Sequence, residues 1–160
     1  MGVPWTCRID YALRLTRSEL VALLGEDRIR AALIQYCNAK AASNQSRNRH
    51  LNIASQLRSG GNLDTENLHE DIDAKEVYCA AVRSCGLYLT TDGMTSDPYY
   101  VSAWGGIELH NYNSVRGGKV LTWKTEEELA SVCGKQELDK KLEDLDWIEE
   151  PAFIVYHDCT

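Results

Sequence analysis

The sequence predicts an α+β protein in which several short helices pack on an antiparallel sheet. Three observations lead to this class: residues 6–16 alternate between apolar and polar, apolar residues recur at helical spacing between 17 and 85, and four strand-like segments follow from 87 to 124. At 160 residues, the chain is expected to form a single domain, 1–160. The alternative is a division into a helix-rich part, 1–86, and a part with strands and acidic helices, 87–160.

The N-terminal segment predicts a half-buried strand followed by two helices. Alternation places Cys7, Ile9, Tyr11, Leu13 and Leu15 on one strand face, with Arg8, Asp10 and Arg14 on the other. Thr16 and Glu19 form a capping-box pattern that begins a helix, and Gly25 ends it. A second helix is expected from 27 to 41, because its apolar residues recur at helical spacing.

The middle of the chain predicts shorter helices joined by polar loops. The polar stretch 43–49 is expected to be a loop, after which Leu51, Ala54 and Leu57 indicate a short helix that ends at glycines 60–61. Residues 62–72 are acidic and irregular, and a helix is expected from 73 to 85. The glycine-bearing turns that follow predict an antiparallel meander, with strands at 87–91, 99–104, 107–112 and 119–124.

The C-terminal segment repeats the order of capping box, glycine and helix. Thr125 and Glu128 match Thr16 and Glu19 at an offset of 109 residues, and Gly134 matches Gly25 at the same offset. Either this is a duplicated unit, or it is the common way in which short helices begin and end. The second helix is expected to bury a stripe of Leu138, Leu142, Leu145 and Ile148, before Pro151 ends it and a last strand covers 152–157.

Charge is distributed unevenly along the chain. The net charge is −7, and it divides into +5 over residues 1–60, −5 over 61–96 and −7 over 97–160. The acidic excess therefore belongs to the last 64 residues. Such an excess argues against nonspecific binding to nucleic acid or to anionic membranes, because both carry negative charge themselves.

Several chemistries lack their sequence signatures. No P-loop, His-Glu-x-x-His, Gly-x-Ser-x-Gly or His-x-Ser/Thr motif occurs, so no enzyme class is indicated, and neither a cofactor nor a metal is expected. No signal-peptide pattern or membrane-length apolar run is present, and the six cysteines include no Cys-x-x-Cys pair. Free thiols in the cytoplasm are therefore expected, with Cys7, Cys37, Cys79 and Cys133 as small core residues.

Two histidine-containing clusters leave alternatives open. His69, Glu70, Asp71 and Asp73 bring four potential metal ligands within five residues, but an exposed acidic loop has the same composition. His157 and Cys159 lie two residues apart and would share a face of an extended strand, as in a thiol–imidazole pair. The alternative is a loose C-terminal tail, since a nucleophile so near the chain end is poorly preorganised.

The strongest signal is a series of carboxylates across the last two predicted helices. Beside a buried leucine stripe, they are expected to point outward and to bind a basic surface on a partner protein, or else to form an ordinary solvated helix face. Carboxylates in series would imitate the negative charge of a nucleic-acid duplex, which is about one charge per 1.7 Å. The predicted partner-binding residues are Glu137, Asp139, Glu143, Asp144, Asp146, Glu149 and Glu150.

Short motifs in residues 99–160 carry a resemblance to a known family. The motifs are Tyr100-Val101, Asn111-Tyr112-Asn113, Gly117-Gly118, Trp123, the acidic helical region, and the run 153–158. Together they resemble one module of the ArdA-type antirestriction proteins, although in that family the glycines and tryptophan follow the tyrosine–asparagine pair more closely. The resemblance implies a small acidic DNA mimic, encoded by a phage or mobile element, that inhibits restriction enzymes.

Three functions are consistent with these patterns. The first is a non-enzymatic, cytoplasmic anti-defence inhibitor that occludes a nucleic-acid-handling protein of the host, with no direct nucleic-acid or membrane partner. The second is a small nucleotide-binding protein or enzyme acting on a signalling nucleotide, in which Arg47, Arg49, His50 and Arg58 would cradle phosphate. The third is an immunity protein for a secreted toxin, which would use the same acidic interface.

Overall fold

The fold class is α+β, as predicted. The computed structural model describes residues 5–43, 46–91, 98–111 and 125–159. Within these residues lie five helices and five strands. In chain order the elements are β1 (Trp5–Leu15), α1 (Arg17–Ala42), α2 (Arg47–Arg58), α3 (Ala74–Ser84), β2 (Tyr88–Thr91), β3 (Tyr99–Ser102), β4 (Ile107–Asn111), α4 (Glu126–Val132), α5 (Lys135–Asp144) and β5 (Ala152–Cys159).

The chain divides into two compact units that do not follow chain order. Residues 18–84 form a helical unit that contains α2, α3 and nearly all of α1. Residues 1–17 join residues 85–160 in a second unit, because β1 pairs with β3, β4 and β5. The N-terminal strand therefore belongs with the strands of the second half of the chain.

The long strand β1 is hydrogen-bonded along both edges. Ala12 pairs with Ser102 of β3 and also with Ala152 of β5, so β3 and β5 lie on opposite edges of β1. Both β4 and β5 pair with residues 6–9 of β1, so they must lie on opposite edges of it. β4 is therefore on the same edge as β3. β2 then pairs with β3, and every pairing in this five-stranded sheet is antiparallel.

β3 and β4 follow one another along β1 instead of pairing with each other. Residues 102–107 oppose residues 9–12, so the β3–β4 side contains two extra residues. This bulge includes Gly105 and Gly106, whose φ values of 83° and 78° favour glycine. Of the predicted meander, only the β2–β3 pairing is present among the described residues, and the predicted strand 119–124 lies outside them.

Both faces of β1 contribute buried residues, whereas the alternation predicted one polar face. Arg14 is exposed as expected, but Asp10 is 0% exposed and Ala12 is 1% exposed. The rings of Tyr100 and Tyr156 stack with centroids 5.0 Å apart and form a buried cluster with Ala12. Since neighbouring strands supply these rings, the polar face of an isolated strand becomes part of the core.

Asp10 is surrounded by polar groups that bond to one another. Arg8 Nη1 and the Tyr156 hydroxyl both donate to the Gly105 carbonyl, at 3.1 and 3.3 Å, and the Gly105 amide donates to Ser102 Oγ at 3.0 Å. Neither carboxylate oxygen of Asp10 makes a hydrogen bond of normal geometry with a described residue. Burial raises the pKa of Asp10 to about 6, although the Ser102 hydroxyl, the neighbouring backbone and the Arg8 charge oppose the shift.

The predicted break in α1 is confirmed. The buried face of α2 differs from the predicted one. Gly25 has φ 73° and ψ 157°, which separates helical runs at 17–24 and 26–42. α2 begins inside the stretch that was predicted to be a loop, and it buries His50, Ala54 and Leu57. Leu51, predicted on the buried face, is 41% exposed, because the register i, i+4, i+7 begins at His50.

The last helix is shorter than predicted. α5 ends at Asp144, and Asp146 adopts a left-handed φ of 56°. The Trp147 amide donates to the Leu142 carbonyl at 2.9 Å and the Asp146 amide to the Glu143 carbonyl at 3.0 Å, which is the Schellman pattern of a helix end. Ile148 was predicted in the buried stripe, but it follows the helix and is 88% exposed.

The two glycine junctions at offset 109 differ in conformation. Gly134 has φ 72° and ψ 30°, while Gly25 has a similar φ with ψ 157°. The same sequence order therefore gives two different backbone turns. This difference favours common helix punctuation over a duplicated structural unit.

Gly134→Ala is expected to destabilise the protein by about 2–4 kcal/mol, because it combines positive φ with overpacking. A Cβ at this position would lie 2.7 Å from the Trp104 ring and 3.0 Å from Ala103 Cβ. Urea unfolding measures the change. Gly60→Ala is the matched control, since Gly60 also has positive φ but no atom within 4 Å of the added Cβ. Equal losses for the two variants would refute the steric explanation.

Asp10→Asn is expected to stabilise the protein more at pH 8 than at pH 4.5, by about 2 kcal/mol. With its pKa raised from 3.8 to about 6, Asp10 contributes stability below about pH 4 that is lost as pH rises through 6. Asn carries no charge at either pH. Urea midpoints at both pH values test this, with the exposed Asp27→Asn as the control. A stability gain that does not depend on pH would contradict the buried-charge explanation.

Candidate functional site

The first turn of α4 holds three exposed carboxylates for a local structural reason. Thr125 Oγ1 accepts a hydrogen bond from the Glu128 amide at 3.1 Å, as the capping box predicted. Glu126, Glu127 and Glu128 then occupy the turn where the helix dipole favours negative charge. No basic residue lies in this helix. The start of α4 is therefore a compact acidic patch.

All seven residues predicted to bind a partner are exposed, but they do not share one helix face. Four lie on α5, namely Glu137, Asp139, Glu143 and Asp144. The other three, Asp146, Glu149 and Glu150, follow the helix. The continuous helical surface over 137–150 that the sequence predicted is therefore interrupted at the end of α5.

Lysines interrupt the acidic surface of α5. Leu138 and Leu142 mark its buried side, and at 100° per residue Lys140 lies diametrically opposite, in the middle of the exposed side. The helix holds four carboxylates and three lysines, a net charge of −1. Over the same length of about 15 Å, a duplex carries about nine charges. α5 alone therefore does not reproduce the charge density of DNA.

One carboxylate of the predicted set already has a counter-ion. Lys135 Nζ lies 2.8 Å from Asp139 Oδ2, donates to the Tyr11 hydroxyl at 2.7 Å, and stands 4.4 Å from the centre of the Tyr11 ring. The bond to Asp139, followed by the bond to Tyr11, raises the pKa of Lys135. Lys135 thus links α5 to Tyr11 of the sheet and partly neutralises the charge that Asp139 offers to a partner.

The acidic excess is concentrated in residues 143–150, which are called the acidic segment below. Five of its eight residues are carboxylates and none is basic. Trp147 is buried, while Ile148 is exposed between Asp146 and Glu149. Ile148 is therefore an exposed apolar side chain whose neighbours in sequence include several carboxylates, and such a side chain can supply an apolar contact within a polar interface. The leucine periodicity predicted that Ile148 is buried, because it extended the helix beyond the Schellman motif at which α5 ends.

The cluster His69–Asp73 forms an ion-pair network. Arg49 pairs with Asp71, and its Nη2 donates to His69 Nε2 at 2.8 Å. The other ring nitrogen, Nδ1, lies 3.2 Å from the Asp71 amide nitrogen and 3.4 Å from the Asp71 carboxylate. Among the described residues, no group of three or more possible metal ligands occurs. The arrangement seen is an acidic loop whose carboxylates pair with Arg49.

The four residues proposed to cradle phosphate do not converge. Arg47 and Arg58 lie about 16 Å apart along α2, and Arg49 points to the other side of the helix. His50 is buried, with Nδ1 3.2 Å from the Ser46 carbonyl, and Arg58 donates to the Asn38 side chain. A cavity of about 350 Å³ in the helical unit is lined by none of the four.

The cysteines and the C-terminal pair offer no reactive site among the described groups. No disulfide joins the cysteines whose side chains are described. Burial raises the pKa of the Cys37 thiol, and it raises that of Cys133 to about 11, so both are protonated at neutral pH. His157 and Cys159 lie in β5, where their backbones pair with Cys7 and Trp5; their side chains are outside the described part.

Comparison with known proteins identifies no relative. No protein-family model, curated protein or solved structure matches this chain. The resemblance to ArdA-type proteins is therefore supported by its sequence motifs alone. Tyr100-Val101 lies in β3, Asn111 in β4 and the run 153–158 in β5. The other motifs lie outside the described residues or in the acidic region. Among the described residues, no helix has the length and apolarity to cross a bilayer.

Asp139→Asn is expected to lower the pKa of Lys135, because it removes the carboxylate that contributes most to the upward shift. Titration of the lysine Nζ signals by NMR measures the change. Glu137→Gln is the control, since it removes one charge from the same helix and, within the described part of the chain, Glu137 forms no ion pair or hydrogen bond with Lys135. A Lys135 pKa that moves equally in both variants would show that the general field of α5, and not the Asp139 contact, holds it.

Proposed function

We propose that this protein is a non-enzymatic inhibitor that binds a basic surface of a nucleic-acid-handling protein through its acidic segment. The observation that supports this most is Ile148, an exposed apolar side chain among five carboxylates that have no basic neighbour in the segment. The concrete version is an anti-defence protein of a phage or mobile element that acts in the host cytoplasm against a restriction or RNA-guided nuclease.

The proposed mechanism combines electrostatic attraction with a small apolar contact. The carboxylates of the acidic segment steer a basic groove toward it, which raises the association rate and makes that rate depend on salt. Burial of Ile148 then removes apolar surface from water and slows dissociation. While the complex lasts, the partner's groove is closed to nucleic acid.

This mechanism needs less charge than imitation of a whole duplex. The lysines of α5 dilute its negative charge, so the proposal rests on local docking by residues 143–150 and the start of α4. An immunity protein for a basic nuclease toxin would use the same contacts. The identity of the nuclease that is inhibited separates these two versions, so both kinds of enzyme belong in the test.

The proposal predicts inhibition of DNA cleavage that depends on the acidic segment. Purified protein is added to a panel of restriction enzymes, RNA-guided nucleases and toxin nucleases cutting a plasmid, and the inhibition constant is measured at several salt concentrations. Reversing Glu143, Asp144, Glu149 and Glu150 to Lys is expected to weaken inhibition more than about 100-fold, since like charges across an interface cost several kcal/mol. Ile148→Ser is expected to weaken it about tenfold.

A matched control reverses four exposed carboxylates of the helical unit: Glu26, Asp27, Glu70 and Glu76. It changes the total charge by the same amount and breaks three ion pairs in which the carboxylate is exposed, of Glu26 with Arg30, Glu70 with Arg49 and Glu76 with Lys40, so thermal unfolding must show that this variant folds. Inhibition should survive in this variant. Inhibition that is equally weakened by both reversals would exclude a specific acidic interface, and absence of inhibition across the panel would exclude the proposed function.

A further inference from the structure

A groove in the sheet-containing unit begins directly after the acidic segment. It encloses about 540 Å³, within the roughly 300–1,000 Å³ of ligand clefts. The rings of Tyr11 and Phe153 meet edge to face, with centroids 5.2 Å apart, on one side. Glu126 and Glu127 also line the groove, as does Pro151, which directly follows the acidic segment in sequence. Aromatic rings and carboxylates thus line one opening.

The groove already holds one cation, which shows what its walls accept. The Lys135 ammonium lies 4.4 Å from the centre of the Tyr11 ring, within the range of a cation–π contact. Its charge is matched by Asp139 at 2.8 Å. Glu126 and Glu127 form no ion pair with a described residue, so among the described residues at the groove the carboxylates outnumber the one ammonium, which Asp139 already matches.

We propose that this groove binds an arginine side chain of the partner protein. A guanidinium is planar, so it can lie on the face of Phe153 while its edge donates two parallel hydrogen bonds to Glu126 or Glu127. The aliphatic stem of an arginine covers small apolar residues such as Ala130 and Ala152, which also line the groove. A lysine ammonium carries the same charge but has no planar group that could stack on a ring and donate two parallel hydrogen bonds. This inference rests on the proposed function, because it presupposes a basic protein partner.

The test uses the full chain and three blocked amino acids: the N-acetyl methylamides of arginine, lysine and norleucine. Titration is followed by NMR at the Tyr11 and Phe153 rings and the Ala130 methyl group. The arginine compound is expected to give saturable shifts in the millimolar range. The lysine compound should bind at least about fivefold more weakly, and the norleucine compound should give no saturation. Equal binding of arginine and lysine, or no saturation with arginine, would overturn the proposal.

Variants locate the binding and separate this inference from the proposed function. Glu126→Gln with Glu127→Gln, and separately Phe153→Leu, should each weaken arginine binding at least about fivefold while thermal unfolding confirms that they fold. Glu70→Gln with Glu76→Gln, two exposed carboxylates of the helical unit, changes the charge equally and should leave arginine binding unchanged. Arginine binding that all three variants weaken equally would refute the groove. Arginine binding without nuclease inhibition would support the binding groove and contradict the proposed function. Nuclease inhibition without arginine binding would support the proposed function and contradict the binding groove.

Discussion

Hydrogen bonding along both edges of β1 is the constraint on which the sheet depends. Because β5 takes one edge over residues 5–12, β3 and β4 share the other, and two extra residues between them divide what would otherwise be one continuous strand. The bulge at Gly105 and Gly106 supplies them. Its backbone then accepts hydrogen bonds from Arg8 and Tyr156, so the irregularity in the ladder becomes the centre of a polar cluster.

The same double pairing explains why a carboxylate lies in the core. A strand at the edge of a sheet could turn Asp10 to water, but β1 has neighbours on both sides whose tyrosines cover that face. The carboxylate therefore loses hydration, and its raised pKa reflects that loss. At neutral pH a buried carboxylate of this kind lowers stability, and the nearby Ser102 hydroxyl and Arg8 charge offset part of that loss.

Local sequence signals correctly predicted helix ends that depend on neighbouring residues. They failed for the burial of side chains that distant strands cover. The capping box at Thr125 and the break at Gly25 follow from interactions within a few residues, and both are present. The burial of Asp10 depends on strands about 90 and 145 residues away, which periodicity cannot detect. The end of α5 was missed because Asp146, where glycine is usual, adopts the left-handed conformation.

That missed helix end changes what the acidic composition means. A helix through Ile148 would have buried its side chain and spread the carboxylates along one regular face. The Schellman turn is instead followed by a buried Trp147 and an exposed Ile148, and Asp146, Glu149 and Glu150 lie beyond the last residue of α5. Counting charges along the chain gives the same total for both arrangements. Only the second leaves an apolar side chain exposed in a segment whose carboxylates form no ion pair with a described residue, and the proposed docking surface rests on that feature.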